Sequence, residues 1–397
     1  MKRMFLVLLV LVFIYPIISS GAEKDSISLN LIWEKGFNSH VKDFSFTDEK
    51  GVPTLQTIIT NDEVIFGEGK NAKRIMTKSG WLKKDEGWFY TTFKSSDDKY
   101  IGIRKECHGE NGMMLDGEFT ILNNSGIELK IVNYISHAEK PLFLLNNGNY
   151  IVNIASRGWS HLGILDRNTG KIIKEVYPIN DFWSSGYLDI AEKVGLFTIC
   201  VTGTEEQKES IVILYDSIGN EIWKRKLEKG WTGHIAISPY GKYIAAVGKS
   251  VRWLYEFNSK GELLWKLRTS VVDVMKYSED EEHLILCGPP NTIKFILSKT
   301  SDIKWEYKLP EGRDYYAVDI SSNNSYVIGI DGGGGREVPS GDINIVYLFD
   351  NNGNLLWQKS YKGINWKMPE VSFSQDSKYF IMAISKKIYC YEIKGAK

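Results

Sequence analysis

Short runs of apolar residues, separated by polar turns, fill most of this chain of 397 residues. The runs are rich in Ile, Val and Tyr and end at clusters of Asp, Asn, Ser and Gly, a pattern that predicts β-strands. Helical spacing of apolar residues is nearly absent. Two kinds of polar turn alternate along the chain, and their order predicts how the strands are grouped.

The first kind of turn has an Asp or Asn, a glycine three residues later and often a tryptophan four residues after the glycine, as in DNNGNLLW. Glycine suits such a hairpin because the turn needs a positive φ, and the Asx side chain can bond to its own backbone. The pivots recur every 40–52 residues, a period typical of propellers and solenoids. They are Gly80, Gly126, Gly170, Gly219, Gly261, Ser301 and Gly353.

The second kind of turn precedes an apolar strand, as in SPYGKYIAAV. Its eight copies start at Thr60, Ser95, Asn146, Glu192, Ser238, Ser278, Ser321 and Ser374. Interleaving the two kinds gives four short strands per unit, and a four-stranded antiparallel unit of this length is one β-propeller blade. The sequence therefore predicts an all-β, eight-bladed propeller. Seven blades are the alternative, because residues 41–80 fit the pattern poorly.

The tryptophans and the two ends of the chain predict how the ring is held together. Trp223, Trp265, Trp305 and Trp357 are expected on the fourth, outermost strands, where each can wedge between neighbouring blades. The copies with Lys84, Lys130 and Lys174 in that place are expected to be weaker or out of frame. The last unit lacks a fourth strand, and SLNLIWEKGF near the start carries Trp33 in the same context. We expect this N-terminal strand to join the last blade and close the ring.

The first residues predict the compartment. Lys2 and Arg3 precede an apolar run from Met4 to Ile18, and small residues lead to Ala22. This is the pattern of a signal peptide, here residues 1–22, with residues 23–397 as a single propeller domain that is secreted or periplasmic. An uncleaved membrane anchor is the alternative. No later stretch approaches 18 apolar residues, so no membrane span is expected after the signal is removed.

Charge and metal-binding residues exclude several classes of function. The 49 basic and 49 acidic residues balance, so a nucleic-acid partner is not expected. The six histidines show no HxxxH or HExxH spacing, and no metal or other cofactor is predicted. The cysteines are free thiols on this interpretation, since no CxxC occurs and a large core needs no cross-links. They are Cys107, Cys200, Cys287 and Cys390.

The repeats also resemble a known group. The Asx-x-x-Gly-x-x-x-Trp turns resemble those of pyrroloquinoline-quinone-like propellers, and SPYGKYIAAV resembles the turns of WD-repeat propellers. The resemblance covers residues 28–397 and implies the fold. Such propellers include quinone-dependent dehydrogenases, secreted lyases and hydrolases, and non-catalytic scaffolds. The dehydrogenases would bring adjacent cysteines and a calcium site, whereas these cysteines are roughly 90–100 residues apart, so the resemblance is to non-dehydrogenase members.

The connections between blades carry the candidate binding residues. Both kinds of polar turn should lie on one face of the ring, and the long variable loops and the inter-blade links on the other, where function tends to reside. Aromatic and polar side chains in these links could form one mouth. The alternative is that the rings pack between blades. The candidates are Trp88, Tyr90, Trp183, Trp231, His234, Arg313, Tyr315 and Trp366.

These features favour a monomeric, non-catalytic binding or scaffold module whose partner is a protein, a peptide or a glycan. The alternative is a secreted propeller lyase or hydrolase that acts on polysaccharide or peptide at the central mouth. No GxSxG motif supports a serine hydrolase. Two ionisable side chains within hydrogen-bonding reach at the axis would favour the enzyme, and a mouth of aromatic and amide groups would favour binding.

Overall fold

The computed structural model describes part of the chain. The described residues are 27–48, 51–60, 63–67, 72–76, 88–94, 100–108, 114–123, 128–133, 142–144, 150–156, 159–166, 169, 171–176, 187–202, 210–228, 232–248, 252–269, 272, 274–288, 292–310, 313–333, 343–362 and 369–395. Within these ranges the chain forms 32 strands and no helix. The protein is therefore all-β, as predicted.

The strands of the N-terminal half are short. They are β1 (Ser28–Gly36), β2 (Val41–Thr47), β3 (Thr54–Thr60), β4 (Glu63–Phe66), β5 (Lys73–Met76), β6 (Trp88–Lys94), β7 (Tyr100–His108), β8 (Met114–Asn123), β9 (Glu128–Asn133), β10 (Leu142–Leu144), β11 (Tyr150–Ser156), β12 (Trp159–Leu165), β13 (Ile172–Val176), β14 (Tyr187–Ala191), β15 (Leu196–Thr202) and β16 (Ser210–Tyr215).

The C-terminal half continues in the same way. Its strands are β17 (Glu221–Lys226), β18 (Thr232–Ile237), β19 (Tyr243–Gly248), β20 (Trp253–Asn258), β21 (Leu263–Arg268), β22 (Val274–Tyr277), β23 (His283–Gly288), β24 (Thr292–Leu297), β25 (Ile303–Lys308), β26 (Arg313–Ile320), β27 (Tyr326–Gly333), β28 (Ile343–Asp350), β29 (Leu355–Lys362), β30 (Glu370–Phe373), β31 (Tyr379–Ile384) and β32 (Lys387–Lys394).

The described strands group into eight antiparallel sheets of four. Sheets 1–7 are consecutive meanders: β2–β5, β6–β9, β10–β13, β14–β17, β18–β21, β22–β25 and β26–β29. Sheet 8 combines β30, β31 and β32 with β1 from the other end of the chain. Ser28 lies opposite Lys394, and Trp33 lies opposite Cys390.

Neighbouring sheets pack face to face in chain order. The first strand of sheet 4 adjoins that of sheet 5, and the same holds for each later pair through to sheet 8 and on to sheet 1. Buried side chains fill the seams, including Leu162 and Phe197 between sheets 3 and 4, and Leu55 and Ile381 between sheets 1 and 8. Sheets 3, 4, 5, 6, 7, 8 and 1 therefore form a continuous series, and from sheet 4 to sheet 1 the first strands lie side by side as the innermost strands.

The two polar turns of each sheet lie on one side of this series. A meander brings its first-to-second and third-to-fourth turns to the same edge, and hydrogen bonds join the first-to-second turns of neighbouring sheets. Asn323 N donates to Ser377 Oγ at 3.1 Å, and Gln375 N donates to Asp48 Oδ2 at 2.9 Å. We call this side the turn face, and the opposite side, with the second-to-third connections and the links between sheets, the loop face.

The tryptophans lie on fourth strands, as predicted, and contact the next sheet. Three indole Nε1 atoms donate to a carbonyl in a turn of that sheet: Trp223 to Ser259 at 3.0 Å, Trp265 to Ser298 at 2.7 Å, and Trp305 to Asn351 at 3.2 Å. Trp357, on β29, packs against Phe380 and Tyr391 of sheet 8. In the sheet 7 turn the glycine leaves room for the indole, because a Cβ at Gly353 would lie 2.6 Å from Trp305 Cγ. Gly353 also has φ +81°, which side chains disfavour.

The fourth strands share a β-bulge beside the tryptophan position. In β17 the register shifts between Trp223 and Glu221, so Ile222 is the extra residue. Seven of the eight described fourth strands have this shift, β1 included. Lys130 and Lys174 occupy the tryptophan place in β9 and β13, so those copies are in frame. A bulge on an outer strand twists the edge and discourages pairing with other chains.

Sheet 1 departs from the predicted frame. Its first-to-second turn lies between β2 and β3, and the predicted turn at Thr60 instead joins β3 to β4, with Glu63 N donating to Thr60 Oγ1 at 3.1 Å. Gly80 follows β5 and lies outside the described residues. The prediction for sheet 1 was wrong because both strands of this tight hairpin are buried. The apolar run at residues 63–66 therefore resembles the second strand of a sheet, although it is the third.

Ser301, which takes the glycine place in the sheet 6 turn, has φ +66°. An L-residue pays about 1–2 kcal/mol in this region, and glycine loses about 0.5–1 kcal/mol of that gain to its unfolded-state entropy. We therefore expect Ser301→Gly to raise the free energy of unfolding by about 0.5–1 kcal/mol in urea titrations. The matched variant Gly261→Ser should do the reverse, since a Cβ there would lie 2.7 Å from Trp223 Cδ2. A destabilised Ser301→Gly protein would contradict the strain argument.

Candidate functional site

A buried carboxylate organises the loop face of sheet 7. Asp331, at the end of β27, is fully buried and accepts from Arg313 Nε at 2.6 Å and Nη2 at 2.5 Å. Ile345 N and the Tyr347 hydroxyl also donate to it, at 2.7 and 2.9 Å. Arg313 Nη2 further donates to the Ile343 carbonyl at 2.9 Å. Bidentate, charge-assisted pairing of this kind is strong and geometrically specific.

This group, which we call the Asp331 clamp, fixes the ends of three strands beside the connection from β27 to β28. Its donors come from the start of β26 and the start of β28, and its acceptor comes from the end of β27. Residues 334–342, between β27 and β28, lie outside the described part of the chain. The hydrogen bond with Asp331 raises the pKa of Arg313, so the guanidinium keeps its positive charge.

Tyr315 lies behind the clamp and does not form a rim. Its side chain is 1 % exposed and packs near Tyr347, with ring centroids 6.0 Å apart. Gly329 leaves room for it, since a Cβ there would lie 3.0 Å from Tyr315 Cε1. Burial raises the pKa of Tyr315, which keeps the hydroxyl neutral. Tyr315 therefore packs between sheets, which was the alternative to a place in the mouth. Side chains alternate along a strand, and this alternation turns Tyr315 toward the seam.

The other predicted binding residues are only partly placed. His234 is half-buried near the start of β18, and its ring lies 4.6 Å from the Tyr187 ring at the start of β14. Both belong to the loop-face ends of innermost strands. Trp88 and Tyr90 lie on β6, where the described part of the chain gives backbone only, and Trp183, Trp231 and Trp366 lie outside it. The structure therefore brings together Arg313 and Tyr315, and separately His234 with Tyr187.

Carboxylates also join the innermost strands. Asp189 Oδ2 on β14 accepts from Ile237 N on β18 at 2.8 Å, and Asp319 Oδ2 on β26 accepts from Phe373 N on β30 at 2.9 Å. Lys276 on β22 forms an ion pair with Asp319. The Lys276 side chain is 50 % exposed, whereas that of Asp319 is 3 % exposed. Asp319 thus ties three sheets together, and Lys276 offers its charge to solvent.

The turn face contains a carboxylate contact that the sequence pattern did not predict. In sheets 6, 7 and 8 the third residue of the first-to-second turn caps its own turn. Its side-chain oxygen accepts from the first residue's hydroxyl and the fifth residue's N–H, and these capping residues are Asp280, Asn323 and Asp376. Sheet 5 has Tyr240 at this position. Glu281 from sheet 6 supplies the missing acceptor, bonding Ser238 Oγ at 2.5 Å, Tyr240 N at 2.8 Å and Lys242 N at 3.2 Å.

The cysteines, possible metal ligands and possible membrane spans were also compared with the predictions from sequence. Cys200, Cys287 and Cys390 are buried, and burial raises the pKa of Cys390 to about 12. Among the described side chains, no three His, Cys, Asp or Glu residues are arranged to hold a metal ion. The same part of the chain contains no helix with the length and apolar character that a bilayer crossing needs.

Comparison with known proteins identifies the fold. No family model matches this chain, and neither does any curated protein. Solved structures do match. BamB from Moraxella catarrhalis is 12% identical, with 92% of this chain and 100% of that chain covered and a TM-score of 0.61. The C-terminal WD40 domain of Sif2 is 10% identical, with 92% and 98% covered and a TM-score of 0.59. The Dos1 propeller is 11% identical, with 77% and 93% covered and a TM-score of 0.54. The chain has a WD40-like β-propeller fold, and identities this low carry no function with them.

Proposed function

We propose that this protein is an exported, eight-bladed propeller that binds a protein, peptide or glycan on its loop face without catalysing a reaction. The observation that carries the proposal is the Asp331 clamp. Three strand ends are fixed around the long segment 334–342 by four hydrogen bonds to one buried carboxylate. A long loop held on rigid strand ends is the usual arrangement of a binding surface.

The features that β1 shares with the other fourth strands support a ring of eight blades that β1 closes. β1 carries the same bulge beside its tryptophan as the other fourth strands, and Trp33 Nε1 donates to Pro53 O in sheet 1 at 3.0 Å. Each described tryptophan bond of this type joins one sheet to the next. A seven-bladed ring would leave one four-stranded sheet outside the ring. Export rests on the apolar leader at residues 1–22, and the mature chain is proposed to act as a monomer.

Partner capture tests the binding proposal. The wild type, with its loop face intact, should retain a partner saturably from the native envelope or culture medium. Replacing residues 334–342 by a short Gly-Ser linker, or replacing both Trp183 and Trp231 by Ala, should weaken capture at least tenfold at an unchanged melting temperature. Lys260→Ala, in an exposed turn on the opposite face, is the control. Capture that survives the loop variants but is lost with Lys260→Ala would overturn the assignment of the face.

The Lys276–Asp319 pair favours the second candidate, a lyase or hydrolase acting on polysaccharide or peptide at the central mouth. Two ionisable side chains lie within hydrogen-bonding reach on innermost strands. Against this, both Asp319 oxygens already accept backbone N–H groups, from Ile320 and Phe373, so the carboxylate is engaged in structural contacts. Turnover of a polysaccharide or peptide substrate that Lys276→Met abolishes without lowering the melting temperature would establish the enzyme instead.

A further inference from the structure

One ionisable side chain lies entirely inside the seam between sheets 5 and 6. Glu256 is on β20, the third strand of sheet 5, and is 0 % exposed. Alternation along the strand places it on the same side as Leu254, which belongs to the apolar core shared with Leu284 and Leu286 of sheet 6. Its cross-strand neighbours are Ala245 and Trp265. A carboxyl group at such a position requires an explanation beyond the surface chemistry of the turns.

The hydrogen bonding of Glu256 fits a carboxylic acid and not a carboxylate. The Tyr277 hydroxyl, from the first strand of sheet 6, donates to Glu256 Oε2 at 2.8 Å. Oε1 is buried and has no hydrogen-bond partner in the described part of the protein. An ionised carboxylate in a low-dielectric core needs several donors or a cation. Burial raises the pKa of Glu256 well above its usual value, and the bond from Tyr277 offsets only part of this effect.

The surroundings make ionisation still less favourable. β19 and β21 present Ala245 and Trp265 to Glu256, and β22 presents Tyr277. Burial raises the pKa of Tyr277 well above its usual value, and the acidic side chains of Glu256, Asp189 on β14 and Glu281 in the turn after β22 raise it further. A negative charge at Glu256 would therefore lie among apolar side chains, with the Tyr277 hydroxyl as its one donor in the described part of the protein.

We propose that Glu256 and Tyr277 form a proton-dependent latch between sheets 5 and 6, which holds this seam closed while Glu256 keeps its proton and loosens it when the proton is lost. The loss creates a buried carboxylate with one donor. That charge is relieved by opening the seam to water, which also strains the Glu281 contacts to Ser238 and Lys242 across the same seam. The latch acts on the part of the seam near the turn face and does not depend on which partner binds the loop face.

The direction of the pH effect follows from the raised pKa. The folded protein keeps a proton that the unfolded chain releases above about pH 4.5, the ordinary value for Glu. The stability that Glu256 contributes is complete below that pH and declines as the pH rises through the folded-state value. The slope is about tenfold in the folding equilibrium constant for each pH unit. His283 acts in the opposite sense, because burial lowers its pKa, so a variant of Glu256 is needed to isolate the latch.

Urea titrations across pH test the latch with three proteins: wild type, Glu256→Gln and the control Glu221→Gln, which removes an exposed carboxylate on β17. The ratio of the folding equilibrium constant of Glu256→Gln to that of the wild type should rise about tenfold per pH unit above pH 4.5. The corresponding ratio for Glu221→Gln should not change with pH. Hydrogen exchange at one alkaline pH should be faster in β20 and β22 of the wild type than in Glu256→Gln, with sheet 7 unchanged. Parallel curves for Glu256→Gln and the wild type would overturn the proposal.

Infrared spectroscopy gives a second measurement, and its first result needs only the wild type. The wild type should show the carbonyl band of a protonated carboxyl group at neutral pH, and this band should disappear on alkaline titration. Tyr277→Phe removes the donor that favours the charged form, so its band should persist to higher pH. A neutral-pH spectrum without a protonated carboxyl band, or one that Glu256→Gln leaves unchanged, would show that Glu256 is ionised and that no latch exists.

Discussion

Deleting residues 23–37 is expected to unfold the protein or drive it to aggregate, although the deleted segment is under a twentieth of the chain. The deletion removes the whole of β1, exposes the long edge of β32 and takes Trp33 and Leu29 from two seams. Each hydrogen bond contributes about 0.5–1.5 kcal/mol and each large apolar side chain about 1.5–3 kcal/mol. The sum is comparable with the entire stability of an ordinary domain, about 5–15 kcal/mol.

Thermal melting and size-exclusion chromatography measure this effect, and the strand can be returned in trans. A synthetic peptide of residues 27–37 should raise the melting temperature of the truncated protein in a concentration-dependent way. The same peptide with Trp33→Ser should do so far less, because it lacks the indole that bonds Pro53. Deleting residues 23–26 alone is the control and should have no effect. A truncated protein that melts like the full chain would show that β1 is dispensable.

Glu281→Ala is expected to lower the free energy of unfolding by about 3 kcal/mol, since hydrogen bonds to a charged group contribute about 1.5–3 kcal/mol and orphaned donors add to the loss. The change leaves Ser238 Oγ, Tyr240 N and Lys242 N without their shared acceptor. Chemical denaturation measures the difference. Glu282→Ala, at the exposed adjacent position, should cost under about 0.5 kcal/mol.

The same contact predicts a specific rescue. Tyr240→Asp places a carboxylate where Asp280 and Asp376 cap the turns of their own sheets. In that background Glu281→Ala should cost less than about 1 kcal/mol, which a double-mutant cycle reports as coupling between the two positions. Equal costs of Glu281→Ala in both backgrounds would contradict the view that Glu281 replaces the cap that Tyr240 cannot provide.

The parts of the fold that could be predicted from sequence are those with a local cause. The glycine turns follow from positive φ at Gly219 and Gly353, and a tryptophan at a fixed distance from such a turn must fall on the fourth strand. Sheet 1 could not be placed from its pattern, because the buried strand β4 carries the same apolar run as a second strand would. The local sequence there is compatible with two frames, and only packing against sheet 8 distinguishes them.

Contacts between sheets were the least predictable, because they join residues far apart in sequence. The sequence around Glu281 does not indicate that this residue completes the turn that begins at Ser238. The one signal is Tyr240, which stands where the other turns have the Asp or Asn that caps them. Arg313 was predicted as a binding residue from its position in a link, yet its charge is matched by Asp331, which lies 18 residues further along the chain. Tyr315 is two positions further along the same strand, and alternation alone predicts the face but not which neighbour covers it.

The pairing of β1 with β32 has a practical consequence for anchoring the molecule. Ser28 lies beside Lys394, and Ile393 N donates to the Lys378 carbonyl in a turn of the turn face at 2.8 Å. A tether, tag or fused domain attached next to Ser28 or Lys394 would therefore leave the protein at one outer corner of the turn face. If the protein were immobilised on a surface through such an attachment, the Asp331 clamp would point away from that surface. Because Ser28 and Lys394 are neighbours, a short linker could join them, and a circular permutant could then begin and end in another hairpin.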